Sequence, residues 1–243
     1  MVITGGSRGI GRATALAAAA RGYRVVVGYA SNAAAANEVV AEIEAKNGKA
    51  IAVKCDVAEE ADILALFAAA DKFGTLGALV NNAGIVGKTS RVDEMPAERI
   101  QRMMAVNVTG SILCAREAVK RMSTRHGGKG GVIVNLSSVA ARLGSPNTYV
   151  DYAASKGAID SFTIGLGYEV AGEGIRVAGI RPGLIDTDIH ASGGEPDRAH
   201  RLAPNVPMKR VGTADEIANA IVWLMSDEAS YVTSAILDVS GGR

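Results

Sequence analysis

Short runs of apolar, β-branched residues alternate along the chain with longer stretches whose apolar positions recur at helical spacing. The runs predict strands at Val2–Thr4, Arg24–Gly28, Ala50–Cys55, Leu79–Asn81, Val132–Leu136, Ile175–Ile180 and Ala235–Val239. The helical spacing predicts helices at Gly9–Arg21, Ala33–Lys46, Glu59–Phe73, Ala97–Arg125, Tyr149–Val170 and Asp215–Met225. Strands that are apolar throughout, joined through helices, belong to a parallel sheet covered on both faces, with right-handed βαβ crossovers. No linker or repeat interrupts the rhythm, so residues 1–243 read as a single α/β domain. Two stretches break it: the glycine-rich His126–Gly131 and the long Pro182–Pro207. A loop of the second kind, following a strand, is usually functional.

Composition narrows the class. Hydrophobic residues make up 48% of the 243, enough for a sizeable core, and the many Ala and Gly favour close helix–sheet packing. Lys+Arg 26 against Asp+Glu 25 leaves a formal charge of +1 with no basic run, which argues against a nucleic-acid partner. The two cysteines, Cys55 and Cys114, form no disulfide framework and read as a strand and a helix residue in a reducing cytoplasm. No apolar run approaches the roughly 20 residues that span a bilayer. No signal peptide precedes the first motif, which begins at Thr4, so a soluble cytoplasmic protein is expected.

The chemistry-bearing residues centre on Tyr152-Ala-Ala-Ser-Lys156, near the start of a helix. Residues four apart share a helix face, so phenol and ammonium can point into one cleft. A nearby cation stabilises a phenolate and draws its pKa down from about 10. Upstream, the Val132–Leu136 strand ends in Ser137-Ser138, whose hydroxyls suit the handling of a carbonyl. Thr4-Gly5-Gly6-Ser7-Arg8-Gly9-Ile10-Gly11 links the first strand to the first helix, with glycines spaced G-x-x-x-G-x-G. Such a turn lets the backbone approach a pyrophosphate, which the helix N-terminus attracts. Asn81-Asn82-Ala83-Gly84 ends the fourth strand, as a loop cap or as a wall of the cofactor crevice. Asn107 reads as a polar position within the Ala97–Arg125 helix.

The cofactor type follows from the end of the second strand, Gly28-Tyr29-Ala30-Ser31-Asn32. Sites that favour NAD place a carboxylate there for the ribose 2′-hydroxyl, whereas the next acid here is Glu38, inside the following helix. Arg8 offers a guanidinium fork for a 2′-phosphate, with Ser31 and Asn32 as neutral donors, so NADP(H) is expected over NAD(H). No His/Cys/Asp cluster has metal-ligand spacing, so no metal is expected. His126, His190 and His200 read as exposed positions.

In order along nearly the whole chain, Thr4–Gly11, Asn81–Gly84, Asn107, Ser138, Tyr152–Lys156 and Arg181-Pro182-Gly183-Leu184-Ile185-Asp186-Thr187 resemble the motifs of the short-chain dehydrogenase/reductase family, in its compact single-domain branch. That resemblance implies a Rossmann fold: a doubly wound seven-stranded parallel sheet, order 3-2-1-4-5-6-7, helices on both faces, and usually a homotetramer. It implies a catalytic tetrad. Tyr152 exchanges the proton, Lys156 lowers the phenol's pKa and holds the nicotinamide ribose, Ser138 hydrogen-bonds the substrate oxygen, and Asn107 positions a water linking Lys156 to solvent. It places Gly5, Ser7, Arg8, Gly9, Ile10 and Gly11 around the phosphates, with Ser31 and Asn32 beyond them. Asp56 and Val57, then Asn82, Ala83 and Gly84, complete the cofactor wall. Pro182, Gly183, Ile185 and Thr187 border the nicotinamide, and about residues 183–207 form the substrate loop. The expected reaction is hydride transfer between nicotinamide and a small-molecule ketone or secondary alcohol, 3-oxoacyl thioesters and sugars or polyols being candidates. The alternative is a non-catalytic dinucleotide-binding regulator, usually marked by loss of Tyr, Lys or Ser; all three are present.

The chain also departs from the family pattern. Only Met1–Ile3 precede the glycine loop where relatives carry more, which is expected to weaken that edge of the core, and Ala178 stands where Asn is frequent. Fourteen residues separate Ser138 from Tyr152, one more than usual, and an insertion near Ser145-Pro146-Asn147 is expected to reshape the substrate mouth. Carrier-protein reductases place bases near the entrance; Arg125 fits this, but Glu173 sets an acid there and disfavours an acyl-carrier substrate.

Overall fold

The computed structural model spans residues 1–243 and describes all of them except the side chains of His190 and Ser192. In chain order, β1 (Val2–Ile3) leads to α1 (Gly9–Ala20), β2 (Arg24–Tyr29) to α2 (Ala33–Ala45), and β3 (Lys49–Lys54) to α3 (Glu60–Phe73). β4 (Ala78–Asn81) is followed by α4 (Ala97–Met104) and α5 (Gly110–Met122), and β5 (Gly131–Leu136) by α6 (Ala140–Leu143) and α7 (Val150–Val170). β6 (Ile175–Pro182) leads through α8 (Ile189–Ser192) and α9 (Arg198–Leu202) to α10 (Ala214–Met225) and β7 (Ala235–Val239). The seven strands form one parallel sheet in the order β3-β2-β1-β4-β5-β6-β7, as the family resemblance implies.

Both faces are buried, which explains why the strands read as unbroken apolar runs. Ile3, Val25, Val27, Val80 and Val134 pack under α1, α2 and α10, while Val2, Val26, Leu79 and Ile133 face α3, α5 and α7. The short β1 is central rather than an edge: Val2 pairs with Val26 on one side and Leu79 on the other. Val2 and Ile3 are wholly buried. Ala178 is likewise fully buried, between Val134 and Ala235.

Two expectations are refined. The Ala97–Arg125 pattern is helical without a break from Ala97 to Met122, but α4 and α5 are joined within it by a π-helical turn over Ala105–Thr109 that contains Asn107. Just past this turn, Gly110 passes so close to Val57 that a Cβ would lie 2.4 Å from its carbonyl oxygen. The long Pro182–Pro207 stretch is not structureless, since it carries α8 and α9. No helix among the described residues is long and apolar enough to cross a membrane.

Candidate active site

A cleft of about 590 Å³ lies along the carboxyl ends of the strands, where a doubly wound sheet leaves room at its switch point. Its floor begins with the turn after β1. Gly9 opens α1 with φ of +52°, a left-handed backbone that glycine adopts without strain. Arg8, at the N-cap, makes no side-chain cap, so the first amides of α1 remain available to an anion. Asn82 braces this turn: its Nδ2 donates to the carbonyls of Thr4 and Gly5, both at 2.9 Å. Thr4 Oγ1 in return accepts from the amides of Asn82 and Ala83. Asn82 is therefore both a cap and part of the wall.

Gly5, Ser7, Arg8, Gly9 and Ile10 line the cleft, as do Ser31, Asn32, Asp56, Val57, Ala83 and Gly84. Gly11 does not; it stands behind the loop, where a Cβ would meet the Gly5 carbonyl oxygen at 2.2 Å. Asn32 caps α2 by accepting the Ala35 amide at 3.0 Å, which leaves its amide nitrogen as the donor. The Asp56 carboxylate, held below its ordinary range, accepts from Arg102 at 2.7 Å and from the Ala58 amide. Arg102 lines this end of the cleft too, a residue the motifs gave no reason to single out.

At the other end, β5 delivers Ser138 and α7 delivers Tyr152 and Lys156. Lys156 Nζ donates to the Leu136 carbonyl at 2.6 Å, and Ser137 Oγ donates to the Lys156 carbonyl at 3.1 Å, locking strand to helix. Burial pushes the Lys156 ammonium down to about 8, with the Asp160 carboxylate opposing. Its nitrogen lies 5.7 Å from the centre of the Tyr152 ring. The expected lowering of the phenol by Lys156 is not what this arrangement gives. Burial raises the Tyr152 phenol, and the opposing effect comes from its hydrogen bond with Ser138.

Asn107 is off the cleft lining. Its Oδ1 accepts the Ile85 amide at 2.8 Å, and its Nδ2 donates to the Ile85 carbonyl and to Ser155 Oγ, each at 3.0 Å. The side chain thus fixes the segment after β4 against α7, and it lies close to Lys156: a Cβ on Gly84 would touch both. Below it, Asn81 donates to Asn135 and Asn135 to Thr163, each at 3.0 Å, a fully buried amide ladder between β4, β5 and α7. The register partnership of two strand-end asparagines was its only sequence signal.

Pro182, Gly183, Ile185 and Thr187 reach the cleft, along with Leu143, Ser145 and Tyr149 from the segment between Ser138 and Tyr152. Gly144, Ser145 and Asn147 all have positive φ (70°, 47° and 57°), a tight loop where the insertion was expected. Arg125 and Glu173 are not at the entrance of this cleft. They sit near each other beside the starts of β5 and β6, about 16 Å of strand away. Of the histidines, His126 and His200 are exposed, His200 beside Asp186, while the His190 side chain lies outside the described residues. Cys55 and Cys114 are buried and burial pushes both thiols up, Cys55 to about 12, so neither is a ready nucleophile. Among the described residues no group of His, Cys, Asp and Glu could hold a metal.

Residues 5–243 match the family model described as enoyl-(acyl carrier protein) reductase. The chain is 56% identical over 243 residues to the uncharacterized oxidoreductase YgfF of Escherichia coli (strain K12), covering all of this chain and 98% of the relative. It is 40% identical to glucose 1-dehydrogenase 2 of Bacillus subtilis (strain 168), over 99% of this chain and 93% of that one. Its backbone superposes with a TM-score of 0.88 on a 3-oxoacyl-[acyl-carrier protein] reductase with bound NAD from Brucella melitensis, at 34% identity over 99% of this chain and 89% of that chain.

Proposed function

The chain belongs to the short-chain dehydrogenase/reductase family and is an oxidoreductase, and we propose that it interconverts a ketone and a secondary alcohol with NADP(H). The bound nicotinamide supplies or receives the hydride; the protein supplies position and proton. The observation that carries this reading is the convergence of Ser138, Tyr152 and the buried Lys156 on one cleft, with Lys156 tied to the Leu136 carbonyl at the end of β5. Tyr152, held protonated by burial, donates to the carbonyl oxygen in reduction and takes the proton back in oxidation. Ser138 hydrogen-bonds the same oxygen where charge develops. Lys156 holds the ribose and places a cation beside the phenol, and Asn107 positions this group through Ile85 and Ser155.

Preference for NADP(H) is supported by the neutral end of β2, where Ala30, Ser31 and Asn32 line the cleft, and by Arg8, which lines the same cleft. The Brucella relative carries NAD, so the cofactor must be tested directly. The chain works as one catalytic domain with residues 183–207 facing the substrate, in the cytoplasm, as a homotetramer. Ile112 on α5, Ile164 and Tyr168 on α7, Trp223 on α10, and Tyr231 and Leu237 are large apolar side chains left exposed, which suits contact with further copies of the chain. The test is NADPH and NADH oxidation against ketones, 3-oxoacyl thioesters and aldoses, with the reverse assay on polyols. Dinucleotide binding without turnover of any of them would favour a regulator instead.

A further inference from the structure

We infer that the substrate end of the cleft holds an anionic group, a carboxylate or a phosphate carried by the ketone, between the guanidinium groups of Arg198 and Arg243, given the carbonyl-reducing reading of this cleft. The two residues come from distant parts of the chain, the start of α9 and the residues after β7, and both line the cavity near Tyr149 and Leu143.

Each is held in place by contacts that leave its charge unspent. Arg198 stacks on Tyr149, its Cζ 5.0 Å from the ring centre, and its side chain is only 16% exposed. Its sole ion-pair partner among the described residues is Glu195, 3.4 Å away. That carboxylate is shared: it also pairs with Arg201 and accepts from Thr89 Oγ1 at 2.5 Å and Tyr149 OH at 3.2 Å. One carboxylate between two guanidiniums leaves a positive excess. Arg243 is anchored through its main-chain oxygen, which accepts from Ser240 Oγ at 3.0 Å and Arg142 at 3.1 Å. Arg142 in turn is paired with Asp238. The Arg243 guanidinium has no hydrogen-bond or ion-pair partner among the described residues, and it is only partly exposed.

A half-buried guanidinium with no ion-pair partner among the described residues, set beside a second one, loses hydration and gains repulsion. Burial and the charge of Arg198 both push Arg243 below the ordinary guanidinium value. An anion bound between the two relieves both costs, and the guanidinium fork matches carboxylate and phosphate oxygens alike. Asp188 also lines this end but is engaged in an interaction of its own. Leu143 and Ile189 give the same end an apolar wall, suited to the short carbon chain between anion and carbonyl.

The experiment compares pairs matched in size that differ chiefly in charge. The first pair is acetoacetate and methyl acetoacetate. The second is S-acetoacetyl phosphopantetheine and S-acetoacetyl pantetheine. Binding is read from the fluorescence of NADPH on the protein, and NADPH oxidation is followed alongside. The charged member of one pair is expected to bind about tenfold or more tightly than its twin, and the pair that shows this tells carboxylate from phosphate. Arg243→Gln and, independently, Arg198→Gln are expected to cut that preference by roughly tenfold. Equal binding within both pairs, or a preference that survives Arg243→Gln, overturns the anion site. Oxidation of NADPH by both twins alike would then leave the redox reading standing. A guanidinium-dependent preference without any oxidation would do the reverse.

Discussion

The carbonyl oxygen of Leu136, the last residue of β5, accepts the Lys156 ammonium at 2.6 Å. A buried cation is thereby tied to the strand that also carries Ser138, so the heights of hydroxyl, phenol and ammonium are set together. Burial makes that cation costly, and its proton is held only to about pH 8.

A stability prediction follows from the cation's cost. The unfolded chain keeps a lysine proton to about 10.4, so between pH 8 and 10 the unfolded state binds more protons and native stability rises with pH. Below pH 8 the penalty is fully present, on the order of 3 kcal/mol before the Leu136 bond offsets part of it. Lys156→Met is therefore expected to stabilise the apo protein at pH 7 by about 1–2 kcal/mol, with the gain fading by pH 10. Urea unfolding of both proteins across that range checks it, and a variant less stable at pH 7 would contradict it.

Tyr152→Phe should lower turnover by about 10²-fold or more while NADPH binding is retained, because the ring still fills its place and only the proton donor is gone. Rate measurements with a substrate the wild type reduces, paired with NADPH fluorescence titration, separate the two effects. A near-normal rate would remove Tyr152 from the mechanism.

Arg99 forks onto Asp151, with Nε at 2.8 Å and Nη2 at 3.0 Å, and also holds the Lys88 carbonyl. Asp151 immediately precedes Tyr152 and its side chain is 3% exposed. Arg99→Ala leaves that carboxylate buried and unpaired, and a loss of about 3 kcal/mol is expected. Thermal unfolding measures it; a change under about 0.5 kcal/mol would show that water replaces the fork.

Arg8→Ala should weaken NADPH much more than NADH, since only NADPH carries the 2′-phosphate that the guanidinium would meet. Dissociation constants for both cofactors decide this. Equal losses, or a wild type that favours NADH, would overturn the assignment of the pocket.

Sedimentation at micromolar concentration is expected to show a tetramer. Tyr168 is 78% exposed on α7, and Tyr231 is fully exposed between α10 and β7, positions at which a monomer would leave aromatic surface in water. A monomer at that concentration would sink the prediction.

The sequence by itself determined the alternation of strands and helices, because apolar runs and helical periodicity are local and both sheet faces need covering. It also brought Tyr152 and Lys156 to one helix face and put glycines where α1 opens, since those relations span a few residues of one element. The relations that depend on which elements become neighbours were decided by the tertiary structure. Asn107 became a brace because it lies in the π-helical turn with its amide on Ile85, and Tyr152 was raised rather than lowered because burial outweighs the opposing effect of Ser138. Arg125 and Glu173 fell at the amino ends of β5 and β6, away from the cleft. Arg198 and Arg243 met there instead. No local pattern carries the sheet order that joins α9 to the end of β7, and so the placement of those two charges appears only once the chain is folded.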